Sequence, residues 1–228
     1  MRKGLLLLFV SVITLLTSCV EIIDDLTLNL DGSGSLRYNL NLSSSKVKIN
    51  SILALDSLDG KKVPTVPEIK AKVSRIEDLL NEQEGIENAT IEADYSNFTF
   101  KLNCDFQSLE ELQTAMKAVI IDQNKNQPIP ELDYNWLSFS DSTLQRSVPD
   151  VTIKKSKEIK ESDRNLLKNG TYTSITRFES EVDHYDNENA KLSANRKAVM
   201  VRTDPYSLTQ NPHLLDNVIY LIGAPDRP

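Results

Sequence analysis

Two cysteines and two histidines in 228 residues leave little material for a zinc site or a disulfide framework. Glycine is scarce as well, at seven residues, and none stands in the spacing of a phosphate-binding loop. Positive charge is in deficit, with 26 Lys and Arg against 33 Asp and Glu. The formal charge of −7 repels phosphate, and no basic stripe offsets it. That excludes nucleic acid as a natural partner. A transmembrane helix is also missing from the sequence pattern. The longest apolar stretch, Leu5 to Leu16, spans 12 residues, where a membrane span needs about 20.

That short stretch has a different meaning at the start of a chain. Arg2 and Lys3 precede it, and Leu16-Thr17-Ser18-Cys19 follows it. A positive start, an apolar centre and small residues before the cut form a secretory signal. The segment resembles the bacterial lipoprotein signal, whose lipobox is a leucine, two small residues and an invariant cysteine. The resemblance covers residues 1–19. It implies cleavage after Ser18, a thioether lipid on Cys19 and acylation of the new amino terminus, so residues 1–18 are expected to be removed. Three acyl chains exceed the two signals that make an anchor stable. Loss of Arg2 and Lys3 with the signal makes the mature body more acidic still, so lipid rather than charge is expected to hold it at the membrane. Val20 stands where an Asp retains enterobacterial lipoproteins in the inner membrane, so the resemblance points to the outer membrane. Glu21, Asp24 and Asp25 form only a short version of the acidic run that exports some Bacteroidetes-type lipoproteins, which leaves the leaflet open.

The mature chain alternates at once. Leu26, Leu28 and Leu30 share one face, Asp31-Gly32-Ser33-Gly34 turns the chain, and Leu36, Tyr38, Leu40 and Leu42 resume the alternation. Two period-two runs about a glycine turn predict a hairpin. With no Ser- or Pro-rich tether before it, the domain is expected to sit close against the bilayer. Val47 to Leu55 reads as a short helix ending near Gly60. Pro67 opens a second helix with the stripe Ile69, Val73, Ile76, Leu79 and Leu80, closed by Gly85. A second hairpin follows, Ala89–Tyr95 and Phe98–Phe106. Ser108 and Glu111 then form a capping box for a helix carrying Leu109, Leu112, Met116, Val119 and Ile120.

Residues 19–122 thus read as hairpin–helix–hairpin–helix. A Pro-containing connection occupies 123–130. Residues 131–223 read as a mainly β continuation of the same domain, and 224–228 as a frayed tail. In the second part, Tyr134–Phe139 and Tyr172–Phe178 read as strands, and Ala190–Ser193 with Ala198–Arg202 as a hairpin. Leu214–Ile222 is expected to close the fold. The segment 141–168 is ambiguous, with Val151 and Ile153 fitting a strand and Lys154–Lys168 an exposed helix. The economical assembly is α+β, an antiparallel sheet built from hairpins with helices packed on one face.

Candidate chemistry is thin. Asp31–Gly34 is flanked by strands and reads as a turn, not a nucleotide loop. Asp183, Asp186, Asn187 and Glu188 beside His184 lack the order of a calcium loop and read as solvated, as does Asp56–Gly60. His184 and His213 show no metal motif. Cys104 falls on the apolar face of its strand and reads as a buried structural thiol. Lys154, Lys155, Lys157 and Lys160 alternate with Glu158 and Glu161 and read as a solvated face. Tyr134, Trp136, Phe139 and Tyr172 read as core. The only site residue expected is Cys19, for lipid attachment, with no catalytic residue, cofactor or metal.

The stretch Glu21 to Leu36, with its strand, Asp-Gly-Ser-Gly turn and second strand directly after the lipidated cysteine, is similar to the opening of LppM-type envelope lipoproteins. Phe178, Ala190–Ser193, Ala198–Val201 and Leu214–Leu221 follow in an order similar to that domain's later strands. The resemblance implies an α+β envelope domain with no assigned catalytic residues, and residues 108–170 have no counterpart in it. The expected function is a non-enzymatic binding or scaffolding lipoprotein. Its membrane partner is reached through acylated Cys19, and its further partner is a hydrophobic ligand, lying between sheet and helices, or an envelope protein. An envelope hydrolase using dispersed Ser, His and Asp residues is the alternative.

Overall fold

The computed structural model describes residues 20–125, 127–161, 164 and 167–222. The expected signal, Cys19 and the expected frayed tail lie outside the described residues.

The first hairpin forms as its alternation requires. β1 (Glu21–Leu28) pairs antiparallel with β2 (Gly34–Asn41) from Glu21 opposite Asn41 to Leu28 opposite Gly34. Gly32 turns with φ +90°, and the Ser33 N–H donates to Asp31 Oδ1 at 2.9 Å. Gly34 has a separate duty: a Cβ there would lie 2.0 Å from the Thr27 carbonyl oxygen and 2.7 Å from the Phe106 ring.

An excursion follows, made of α1 (Lys46–Leu53) and the two-residue strands β3 (Ser57–Leu58) and β4 (Lys61–Lys62). α2 (Val66–Asn81) starts on Thr65, which the sequence reading overlooked as a cap. The Glu68 N–H donates to Thr65 Oγ1 at 3.3 Å, and Glu68 accepts the Thr65 N–H at 2.7 Å. Lys62 and then Thr65 hold the Glu68 carboxyl down at about 2.

The second hairpin joins β5 (Ile86–Asp94) to β6 (Thr99–Phe106), and α3 (Leu109–Gln123) starts on Ser108 as expected. A bulge at Asn88, φ +53°, shifts the register between Glu87 and Thr90. Ile86 and Ala89 therefore face the same core despite their odd spacing.

The chain then builds β7 (Leu137–Ser140), β8 (Thr143–Arg146), α4 (Asp150–Glu158), β9 (Thr171–Phe178), β10 (Val182–Tyr185), β11 (Ala190–Leu192), β12 (Ala198–Thr203), α5 (Pro205–Gln210) and β13 (Asn217–Leu221). Seven strands form one sheet in the order β11-β12-β9-β1-β2-β6-β5, and four form a second, β10-β13-β8-β7. α2 and α3 pack on the β5–β6 side of the large sheet, and α3 also meets β7. One core joins Leu26, Leu28 and Phe106 of the large sheet to Leu144 and Ile219 of the small one.

The α+β class is as expected, and one pair departs from the antiparallel pattern. β9 runs parallel to β1, with the Thr171 N–H donating to the Val20 carbonyl at 2.7 Å. The chain returns from the second sheet through α4 and re-enters beside its own start, a crossover that no hairpin supplies. The ambiguous 141–168 region holds strand β8 and a helix that begins earlier than expected, at Asp150, and contains both Val151 and Ile153.

Gly34→Ala is expected to destabilise the fold by about 3 kcal/mol, because the new methyl overlaps backbone. Gly32→Ala, with open space around it, is expected to cost only about 1 kcal/mol from its positive φ. Urea unfolding of the two variants measures the contrast.

Candidate functional site

Between the two sheets lies a cavity of about 760 Å³. Its floor is the inward face of β1 and β2, where Val20, Ile22, Asp24 and Leu26 stand in line with Leu36 and Tyr38. Leu112 and Met116 of α3, Trp136 and Leu137 at β7, α4 with Thr152 and Ser156, and Leu208 of α5 complete the wall. The volume falls in the range of about 300–1,000 Å³ usual for ligand pockets, and the lining is mainly apolar.

A buried ion pair interrupts it, and Ser147, Thr152, Lys155, Ser156, Glu158 and Thr209 add further polar groups to the lining. Asp24 alternates in phase with Leu26 and Leu28, so the pleat of β1 turns its carboxylate inward, and the residue is only 7% exposed. It is therefore not part of a surface acidic run, as the sequence reading had it. Arg146, in phase with buried Leu144 on β8, reaches across from the second sheet and forms an ion pair with Asp24 through Nη2. The Tyr172 hydroxyl donates to the same carboxylate oxygen at 2.9 Å. Tyr38 stands directly opposite Asp24 on β2.

Burial, and then the Asp24 charge, push the Tyr38 phenol up to about 12 and raise Tyr172 well above the ordinary value. Both phenols stay protonated at neutral pH and act as neutral hydroxyls. Burial alone lowers the basicity of Arg146, but Asp24 outweighs it and the guanidinium is held charged. The Arg146 side chain makes a single hydrogen bond among the described residues, the one to Asp24. Its remaining N–H groups are left on the cavity wall, neither bonded nor sealed from it. The polar point thus offers hydrogen-bond donors while its ion pair carries no net charge.

The candidates read from sequence lie elsewhere. His184 is exposed, bonded to Asp183 at 2.8 Å and stacked on Tyr220 with ring centroids 4.0 Å apart. His213 is exposed and bonded to Asp216 at 2.7 Å. Among the described residues no serine, threonine or cysteine bonds to either imidazole, and neither lines the cavity. Asn187 in the acidic loop is buried and structural: its amide donates to the Leu214 and Asp216 carbonyls at 3.0 and 2.7 Å. No group of three metal-ligating side chains occurs among the described residues. Cys104 is buried, and burial pushes its thiol up to about 11, away from nucleophilic duty at neutral pH. Trp136 and Tyr172, read as core, stand in the cavity wall instead. Lys154 pairs with Glu131 at 2.5 Å, and Lys155 with Glu158 at 3.0 Å.

No protein-family model matches the chain, and no curated protein does. Among solved structures it is similar to the folded domain of LppM from Mycobacterium tuberculosis, at 10% identity over 92% of this chain and 93% of that one, with a TM-score of 0.42. This is a distant similarity, and it says nothing about function.

Asp24→Asn strands the Arg146 charge in an apolar cavity and is expected to cost about 3 kcal/mol. The double variant Asp24→Leu/Arg146→Met removes both charges and is expected to regain most of that loss. Urea unfolding measures both, and a double variant no more stable than the single one contradicts the pairing.

Proposed function

We propose that the protein is a lipid-anchored lipoprotein of the bacterial cell envelope that binds an acyl-chain amphiphile in the cavity between its sheets, without transforming it. The observation that carries the reading is the cavity itself: mainly apolar walls around a buried, donor-bearing ion pair. Apolar surface left in such a space gains by taking up hydrocarbon, at about 25 cal/mol per Å² removed from water. An ester or carboxyl oxygen at the head of the ligand accepts from the free N–H groups of Arg146. A fully charged head is the poorer fit, because Asp24 already neutralises the guanidinium and an extra charge has to be desolvated.

The position of the cavity supports the anchored part of the reading. Val20, the residue after the expected lipid-attachment Cys19, is itself part of the lining. An anchor at Cys19 holds the cavity beside the membrane from which such a ligand comes. In this reading Cys19 carries the lipid, the outer membrane is the address, and the membrane lipid is the partner. Catalysis has no part in it: the two imidazoles are outside the cavity, and the one carboxylate bonded to a cavity hydroxyl, Asp24, is already paired with Arg146.

Trp136 is the only tryptophan in the chain and stands in the cavity wall. The full chain carrying Cys19→Ala, which takes no thioether lipid, is titrated with the methyl ester of a brominated fatty acid, an uncharged head, whose bromine quenches at contact range. Saturable quenching of Trp136 is expected. Ser156→Phe, which fills the cavity from α4, is expected to weaken binding by about tenfold or more. Unchanged emission, or equal quenching in the filled variant, overturns the proposal.

A further inference from the structure

The excursion between β2 and α2 is built against the usual rule for a surface. α1 fully buries none of its side chains: Ile49, Ile52 and Leu53 share one half-buried face, and Val47 stands on the opposite, exposed face. Val47 is 79% exposed, Leu55 47% and Leu58 45%, so three of the five large apolar side chains exposed among the described residues fall within 12 positions. A cluster of this kind marks an interaction surface rather than the scattered apolar exposure of an ordinary one.

Charge says what kind. The same segment carries Lys46, Lys48, Lys61 and Lys62 against Asp56 and Asp59, a basic island in a chain of formal charge −7. Lys62 meets Glu68 at 2.7 Å, Asp59 meets Lys160 at 2.6 Å, and Lys46 donates to Asn97 at 3.1 Å. All are exposed contacts, weak enough for lysine to exchange for a headgroup. Exposed aliphatic side chains interleaved with lysine are the composition of a segment lying in the interface of an anionic bilayer.

The topology puts this island where a membrane has to be. Glu21 stands opposite Asn41, and Asn41 opposite Thr99, so β1 begins at the same sheet end from which the excursion leaves. The chain ahead of Val20, with Cys19 and the apolar run Leu5–Leu16, joins there too. Whether that run is kept or replaced by acyl chains, the attachment reaches the fold at this end.

We propose that the α1–β3–β4 excursion is a docking surface that seats the protein on an anionic phospholipid bilayer. Val47, Leu55 and Leu58 enter the interface, and the four lysines meet the headgroups. The surface acts in addition to the anchor, and does not depend on what the cavity holds. It fixes the orientation of the domain, with the Val20 end of the cavity toward the lipid and the Asp31–Gly34 turn away from it.

The test places an environment-sensitive fluorophore on Val47→Cys or Leu58→Cys in the full chain, with Glu110→Cys, at the opposite sheet end, as control. Buried Cys104 stays unlabelled. The proteins are reconstituted into phosphatidylcholine vesicles with or without about one-third phosphatidylglycerol, and an aqueous reductant is added. With the anionic lipid, the probes at 47 and 58 are expected to shift to the blue and bleach about tenfold more slowly than the probe at 110. Changing Lys46, Lys48, Lys61 and Lys62 to Gln is expected to abolish the protection, at about fivefold in partitioning per lysine. Equal bleaching at 47, 58 and 110 overturns the proposal. So does protection that is the same without phosphatidylglycerol or in the lysine-free variant.

Discussion

The Asp24–Arg146 ion pair is the point on which the two sheets meet. It joins residues 122 positions apart, one on β1, the central strand of the seven-stranded sheet, and one on β8, an inner strand of the four-stranded sheet. A buried pair of this kind is weak evidence for stability, because the cost of desolvating two charges roughly offsets their attraction. An apolar pair of the same volume would hold the sheets together as well. What the charged pair adds is a fixed donor set inside a mainly apolar space, held in place by Tyr172 and kept protonated by its own counter-ion. In the proposed reading, that donor set rather than stability is what the pair contributes.

Much of the fold was legible in the sequence, because local periodicity was faithful to it. Leu26, Leu28, Leu36 and Phe98 to Phe106 are spaced for strands, and Gly32 and the Ser108–Glu111 pair mark where elements turn and start. The parts that escaped are those settled by distant contacts. β8 and β10 are four residues each, and Arg146, Asp183 and His184 break any apolar alternation in them. The parallel pairing of β9 with β1 leaves no trace in either strand, since it depends on where the chain returns. α5, at six residues, is too short to show a helical period.

The candidate site was harder to read for the same reason. Its polar point gathers residues 24, 38, 146 and 172, and no spacing rule spans such distances. One local signal was present. Asp24 shares the parity of Ile22, Leu26 and Leu28, and a carboxylate at a core position requires a partner. Taken with Glu21 and Asp25 as an acidic run, it looked like surface. Tyr172 and Trp136 were correctly placed indoors, but periodicity does not distinguish a side chain in a filled core from one on a cavity wall.

β1 ties the proposed parts together. Its first residues succeed the expected lipid-attachment site, its inward face is the cavity floor, and its starting edge adjoins the basic, apolar excursion. Anchor, docking surface and cavity then share one end of one strand, which is the arrangement expected of a protein that exchanges a lipid with the membrane it sits on. The most direct measurement is native mass spectrometry of the full chain released from the membranes of its producing cell. The account predicts a non-covalent adduct of acyl-lipid mass, in addition to the covalent anchor, that is retained by wild type and lost from Ser156→Phe. A chain whose mass is fully explained by its covalent modifications, with no such adduct, would contradict it.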